Sequence, residues 1–328
     1  MRAVLVGEGR WGENVARSLK QLELEGMVTL SYVVDVDLSR ATEFSKKYGF
    51  QSAVSSVSET SGDAYVIATS ISTLSKVARE AMEIAHCVFI EKPVAETSRE
   101  ALELLSLAES RGLVHQVGYV SRFDPVVEEL KKRVTREEIY GVRFRRLSKR
   151  PPRMRSYPVT LDLMTHDIDL AFYLLNQRSA KVVFSLFQID SSGVPQRAVA
   201  GATYDGVNAI FEADGILPVK IREIDVLSER EFLRADLVSR VLTVRGEIGD
   251  SRIVIDGEEP LKRELRVFIE RCGGKDIEAP SLKDAVAVLE LVEEISRAAM
   301  KIRESNKNSL STKNIYLPQH RFYRDELG

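Results

Sequence analysis

Over the first 120 residues short apolar runs alternate with helical stretches. Residues 2–6 (Arg-Ala-Val-Leu-Val) read as a buried strand of the parallel type. A glycine-rich turn, Gly7-Glu8-Gly9-Arg10-Trp11-Gly12, follows at once. From Trp11 to Leu22 the period becomes helical, with Val15, Leu19 and Leu22 on one face. Further strands are predicted over 28–34, 64–68, 87–90 and 115–118, and helices over 38–48, 74–85 and 98–112. Ser98 is the expected cap of that last helix, with an incomplete capping box because Ala101 stands where Glu or Gln belongs. The β-α alternation predicts a doubly wound parallel sheet over residues 1–120.

After residue 120 the pattern changes. Arg122-Phe123-Asp124-Pro125 interrupts it and an amphipathic helix covers 126–133. Strand-like segments follow at 141–147, 181–188, 198–204, 208–213, 218–227 and 241–245. Many alternate in polarity and are joined by turns such as Asp205-Gly206 and Asp214-Gly215. They predict a mostly antiparallel sheet with one open face. Helices are expected over 161–176, 260–272 and 285–301, the last opened by Ser281-Leu282-Lys283-Asp284, and the polar stretch 306–313 reads as a connection. The expected organisation is α/β: a dinucleotide-binding domain over 1–120 and an α+β domain for substrate and oligomerisation over 121–328.

The glycine turn sits between a strand and a helix, where a dinucleotide fingerprint belongs. Gly7 would allow the tight turn, Gly9 close approach of a pyrophosphate, and Gly12 close packing of helix on strand. Arg10 and Trp11 open the helix whose N-terminus would face the phosphates. Asp35, at the end of the second strand, is placed to bond the adenosine ribose hydroxyls and to repel a 2′-phosphate, which favours NAD over NADP. Otherwise it caps the following helix, a role that Asp37 fits better. Arg40 is either an adenine-stacking residue or a plain surface arginine. Ala68, Thr69 and Ser70, beyond another strand end, would line the dinucleotide or serve as turn formers.

Bulk properties narrow the partners. The 328 residues carry a net charge of -2, so no electrostatic case exists for nucleic acid or an anionic membrane. No apolar run approaches the ~20 residues of a bilayer span. Cys87 and Cys272, far apart and without metal-ligand spacing, fit a reducing cytoplasm.

Lys92, after a strand and before Pro93, would point into the crevice beyond the strand ends and stabilise a developing alkoxide, with Glu91 either holding its ammonium or facing solvent independently. By itself a Lys-Pro pair is an ordinary surface lysine. Asp162 and His166 are spaced to share a helical face, which Asp169 continues. His166 could accept a hydroxyl proton and Asp162 could orient the ring, whereas a dipole-favoured carboxylate and a structural histidine are the plainer alternatives. No third convincing ligand accompanies His166, so no metal is expected. Arg143, Arg145, Arg146, Lys149, Arg150, Arg153 and Arg155 form a run without an acid. It is either a grip for a phosphorylated or nucleotide-linked substrate or a strand edge protected by charge.

Gly7-x-Gly9-x-x-Gly12, Asp35, Glu91-Lys92-Pro93 and Asp162-x-x-x-His166-x-x-Asp169, in that order, resemble the glucose-fructose oxidoreductase/inositol dehydrogenase (Gfo/Idh/MocA) family over nearly the whole chain. The resemblance implies an N-terminal Rossmann domain, a C-terminal domain with an open sheet, and pairing through that sheet into homodimers or homotetramers. It also implies hydride transfer between a sugar or polyol carbon and NAD(P), with Lys92, Asp162 and His166 matching the catalytic residues. Ser121-Arg122-Phe123-Asp124-Pro125-Val126-Val127, Arg150-Pro151-Pro152-Arg153 and His166-Asp167-Ile168-Asp169 resemble the UDP-N-acetylglucosamine 3-dehydrogenase branch, in which Arg150 and Arg153 would bind the diphosphate. Ser70 and Leu74 stand where members often have proline and histidine, and Ala85-His86-Cys87 replaces the usual Gly-Lys-His, departures that bear on substrate and cofactor contacts. Two alternatives are an NAD-binding sensor without catalysis and a free-sugar or inositol dehydrogenase with tightly held NADP.

Overall fold

The computed structural model describes residues 1–134, 139–247 and 249–308. Its first sheet is built from β1 (Arg2–Val6), β2 (Thr29–Val34), β3 (Ser52–Val54), β4 (Ala64–Ile67), β5 (Cys87–Glu91) and β6 (Val114–Gly118). All are parallel, in the order β3-β2-β1-β4-β5-β6. The order reverses between β1 and β4, so the crevice beyond their C-terminal ends is the expected ligand position for such a sheet. β3, only three residues long at the sheet edge, lies in a segment too short to show a period. Helices α1 (Arg10–Leu24), α2 (Leu38–Tyr48), α3 (Ile71–Met82) and α4 (Ser98–Ser110) connect the strands, and α5 (Pro125–Arg133) follows β6.

Local chemistry sets where these helices begin. Asp37, not Asp35, caps α2 by accepting from the Arg40 amide at 3.1 Å. The cap of α4 is Thr97 rather than Ser98, and its capping box is complete. Thr97 Oγ1 accepts from the Glu100 amide at 3.2 Å while Glu100 Oε2 accepts from the Thr97 amide at 3.2 Å. The expected frame was one residue late, which put Ala101 where Glu100 belongs.

The second sheet has eight strands in the order β14-β13-β12-β11-β7-β10-β9-β8. They are β7 (Ile139–Leu147), β8 (Lys181–Ile189), β9 (Pro195–Tyr204), β10 (Val207–Asp214), β11 (Ile221–Ser228), β12 (Glu231–Asp236), β13 (Val241–Gly246) and β14 (Gly249–Val254). All pairs are antiparallel except β7 with β10. β12 and β14 add to the strands expected from the pattern: β12 buries only Leu233 and Ala235 fully, and β14 is an exposed edge. Val142, Phe144, Phe211 and Ile224 fill the inner face, where the Phe144 and Phe211 rings stack at 5.3 Å. Phe184, Leu186 and Ile210 are exposed on the opposite face.

Two later helices return to the first sheet. α7 (Pro260–Cys272) places Leu261, Leu265, Phe268 and Ile269 in one core with Leu5, Val66 and Phe89 and with Val15 and Leu19 of α1. α8 (Leu282–Asn308) contributes Val288, Leu289, Val292 and Ile295 to a core that runs from α3 and α4 to the inner face of the second sheet. Its start agrees with the Ser281–Asp284 signal, since Asp284 Oδ2 accepts from the Ser281 amide at 2.8 Å. The polar stretch expected as a connection begins within the last turn of α8 and from residue 309 lies outside the described residues. Among the described residues no helix is long and apolar enough to cross a membrane.

Candidate active site

The glycine turn is built around close contacts. Gly7 has φ 97°, and a Cβ there would meet the Ala68 carbonyl oxygen at 2.7 Å. A Cβ on Gly12 would lie 2.1 Å from the Gly7 oxygen. A Cβ on Gly9 would meet nothing within 4 Å, so the turn opens at the residue that precedes α1. No side chain caps α1. Its free amides and positive dipole end therefore suit an anionic group such as a pyrophosphate. Arg10 and Trp11 occupy its first turn. Thr69 and Ser70 lie between β4 and α3, and the Ala68 carbonyl and Thr69 amide pack against Gly7 of the turn.

Asp35 holds this turn. Its Oδ2 accepts from the Glu8 amide at 3.2 Å and its Oδ1 from the Asp37 amide at 3.1 Å. Arg40 pairs with Glu8 at 2.7 Å, so it stands over the turn instead of lying free on the surface. Burial pushes the Glu8 carboxyl above the usual range even beside that arginine.

On the far side of the crevice β5 ends at Glu91 and Lys92, and the Lys92–Pro93 peptide is cis. Glu91 is buried against Gly118, and burial lifts its carboxyl to about 7 despite the Trp11 indole and Lys92 beside it. Lys92 Nζ donates to the main-chain carbonyl of Asp162 at 2.8 Å and lies 3.5 Å from the Asp162 carboxylate. Burial lowers the Lys92 pKa, while Asp162 and Glu91 oppose the shift.

The expected single helix over 161–176 is instead a π-helical turn, Thr160–Met164, running into α6 (Thr165–Leu175). Single π turns inside helices recur at functional sites because they displace one carbonyl from the regular ladder. Asp162 and His166 fall on either side of this junction. The Asp162 carboxylate faces Lys92 and, at 3.5 Å, Arg150. His166 Nδ1 is buried with no hydrogen-bond partner, so Asp162 does not orient it through a bond in this state. Burial holds the imidazole pKa well below the ordinary histidine value, and the nearby Lys92, Arg146 and Arg222 add to that effect. The ring is therefore neutral near pH 7 and able to accept a proton. Asp169 points elsewhere: with Asp284 it holds Arg122, accepting from Nε at 2.9 Å, and so ties α6 and α8 to the turn after β6.

The basic run is largely neutralised by tertiary contacts. β7 is interior to its sheet, so it is not a protected edge. Arg143 pairs with Glu212 at 3.0 Å, Arg145 with Glu223 at 2.7 Å, and Arg146 with Asp167 at 2.8 Å. Arg150 is buried, donating to Gln196 Oε1 at 2.6 Å and to the Tyr157 carbonyl at 2.9 Å. Arg153 is exposed on the turn before the π segment. Two groups near the site escaped the sequence reading. Arg222 lies opposite Arg146 in the β7–β11 register, and Glu264 of α7 is fully buried with both carboxyl oxygens unpartnered. The signal for each was a charged residue among apolar ones, Arg222 before Ile224 and Val226, and Glu264 beside Leu265 and Phe268.

The GFO_IDH_MocA profile, an oxidoreductase family with an NAD-binding Rossmann fold, matches residues 1–119. UDP-N-acetylglucosamine 3-dehydrogenase from Acidithiobacillus ferrooxidans is 32% identical over 317 residues, covering 88% of this chain and 97% of that relative. A crystal structure of that dehydrogenase superposes with a TM-score of 0.83 at 23% identity, covering 92% of this chain and 98% of the other. The NAD(+)-dependent scyllo-inositol 2-dehydrogenase of Bacillus subtilis is 32% identical over 127 residues, 37% of each chain.

Proposed function

This chain belongs to the GFO_IDH_MocA family of NAD-binding oxidoreductases, and we propose that it oxidises the C3 hydroxyl of a UDP-N-acetyl sugar to a ketone. The observation that carries the substrate is likeness along nearly the full length of a UDP-N-acetylglucosamine 3-dehydrogenase, whereas the scyllo-inositol enzyme matches only over a shorter stretch. NAD, cradled by Gly7, Gly9, Gly12, the α1 N-terminus and Asp35, would supply the hydride acceptor when bound. NAD is favoured over NADP because a carboxylate at Asp35 repels a 2′-phosphate.

The chain's own residues divide the remaining work. Neutral His166 takes the hydroxyl proton as the carbon gives up its hydride. The Lys92 ammonium bonds the same oxygen and stabilises its developing negative charge. Asp162 holds that ammonium in place by its carbonyl and its carboxylate. Residues 1–120 carry the dinucleotide, and residues 121–328 wall the substrate. The exposed Phe184, Leu186 and Ile210, beside the Arg143–Glu212 and Arg145–Glu223 pairs, support self-pairing through the second sheet as a homodimer or homotetramer. Free Cys87 and Cys272 support a reducing, cytoplasmic setting.

A second reading, a free-sugar or inositol dehydrogenase, draws support from Arg150, whose buried bonds leave little of it for a diphosphate. Thermal melting with NAD present, against UDP-N-acetylglucosamine, UDP-glucose, glucose and myo-inositol, separates the two. A rise confined to UDP-sugars, followed by NADH formation and a 3-keto product, supports the first. A rise with glucose or inositol alone overturns it.

A further inference from the structure

Arg222 and Arg146 face each other across the β7–β11 ladder, and the buried Phe144 and Ile224 two residues along place both on the inner face of the sheet. Like charges directly opposite each other destabilise a sheet unless something offsets them. Arg146 is offset: Asp167 Oδ1 accepts from its Nε at 2.9 Å, and Ser121 Oγ lies 3.4 Å from Nη2. Arg222 is not. Its Nε is buried with no hydrogen-bond partner, and no carboxylate pairs with it among the described residues. Asp167 and Asp124 are near enough to be felt, as is Lys220 two residues earlier, so three cations stand against two carboxylates. Burial, then Arg146, pulls the Arg222 pKa down to about 10. The charged cluster that acts on His166 therefore includes a guanidinium that lacks a paired anion among the described residues.

We propose that Arg222 recognises the anionic part of the substrate by donating to the oxygens of its diphosphate. This rests on the nucleotide-sugar reading above and assigns its phosphate contact to a residue other than Arg150 and Arg153. The dinucleotide's own phosphates belong at the Gly9 turn on the other sheet. A diphosphate carries enough charge to offset Arg222 and Lys220 together, and the planar fork of an arginine matches two of its oxygens.

The test is calorimetric titration of UDP, and separately of glucuronate, into protein saturated with NADH. The proteins are wild type, Arg222→Met, Arg222→Lys and Arg252→Met, the last on the exposed edge strand β14. Arg222→Met is expected to weaken UDP binding about 30-fold or more, the size of one charge-assisted hydrogen bond. Arg222→Lys should fall between, and Arg252→Met should bind like wild type. The KM for a UDP-sugar rises with the UDP constant while kcat moves less. Unliganded Arg222→Met melts at or above the wild-type temperature, because a cation without a partner has been removed. Unchanged UDP affinity in Arg222→Met, loss of glucuronate binding alone, or no UDP binding by wild type overturns the proposal. If wild type binds UDP through Arg222 but oxidises no UDP-sugar, the reaction falls and the subsite stands. If Arg222→Met oxidises a UDP-sugar with unaltered KM, the subsite falls and the reaction stands.

Discussion

Lys92 Nζ is bonded at 2.8 Å to the main-chain carbonyl of Asp162, and the carboxylate of that residue lies farther off, at 3.5 Å. In an unbroken α-helix that carbonyl would serve the His166 amide. Within the π turn it accepts from the lysine, so the backbone of one element positions the ammonium carried by another.

Lys92→Ala should lower kcat by about 10² or more with NAD affinity retained, on the usual scale for a positioned proton donor. Asp162→Asn keeps the carbonyl and removes only the charge, so its loss should be smaller than that of Lys92→Ala. Initial rates together with NAD titrations check both. Near-normal turnover in Lys92→Ala would take the lysine out of the chemistry.

His166→Ala should cost a similar factor in kcat. The wild-type profile adds a sharper check. Burial holds the ring neutral to well below the ordinary pKa. The acid limb of kcat/KM that this ring sets should therefore lie below pH 6.5. An acid limb at or above 6.5 would mean a ring with an ordinary pKa.

Asp35 bonds the amides of Glu8 and Asp37, so Asp35→Ala removes both a carboxylate and the brace of the glycine turn. Asp35→Asn keeps an acceptor and drops the charge. Asp35→Ala should weaken NAD strongly. Asp35→Asn should weaken it less and relax discrimination against NADP, read as the ratio of kcat/KM for the two cofactors. An unchanged ratio in both variants rejects the ribose assignment.

Glu264 is fully buried, both oxygens lack partners, and burial raises its pKa well above the usual carboxyl range. A folded-state pKa above the unfolded one means that the native protein binds more protons. Stability is then greatest below about pH 4.5 for this group and falls as the pH rises toward the folded pKa. Glu264→Gln, which resembles the protonated acid, should lose stability less steeply than wild type as the pH rises above about 4.5. Parallel melting curves would show that Glu264 does not change its proton content there.

Local spacing determined much of this protein. Gly7, Gly9 and Gly12, Asp35 at a strand end, Lys92 before Pro93, and the Asp162–His166–Asp169 interval are all properties of neighbouring residues, and the same holds for the first sheet's β-α alternation. Tertiary structure decided what those neighbours meet. Four of the seven residues of the acid-free basic run, Arg143, Arg145, Arg146 and Arg150, proved to be paired with Glu212, Glu223, Asp167 and Asp162, partners that strand register and the packing of α6 on the sheet bring together over long separations. Cys87 and Cys272, distant in the chain, become neighbours only because α7 folds back on the first sheet. Arg222 and Glu264 acquire their meaning the same way. A charge is ordinary or exceptional according to the water it loses and the partner it gains, and both are settled only when the chain packs.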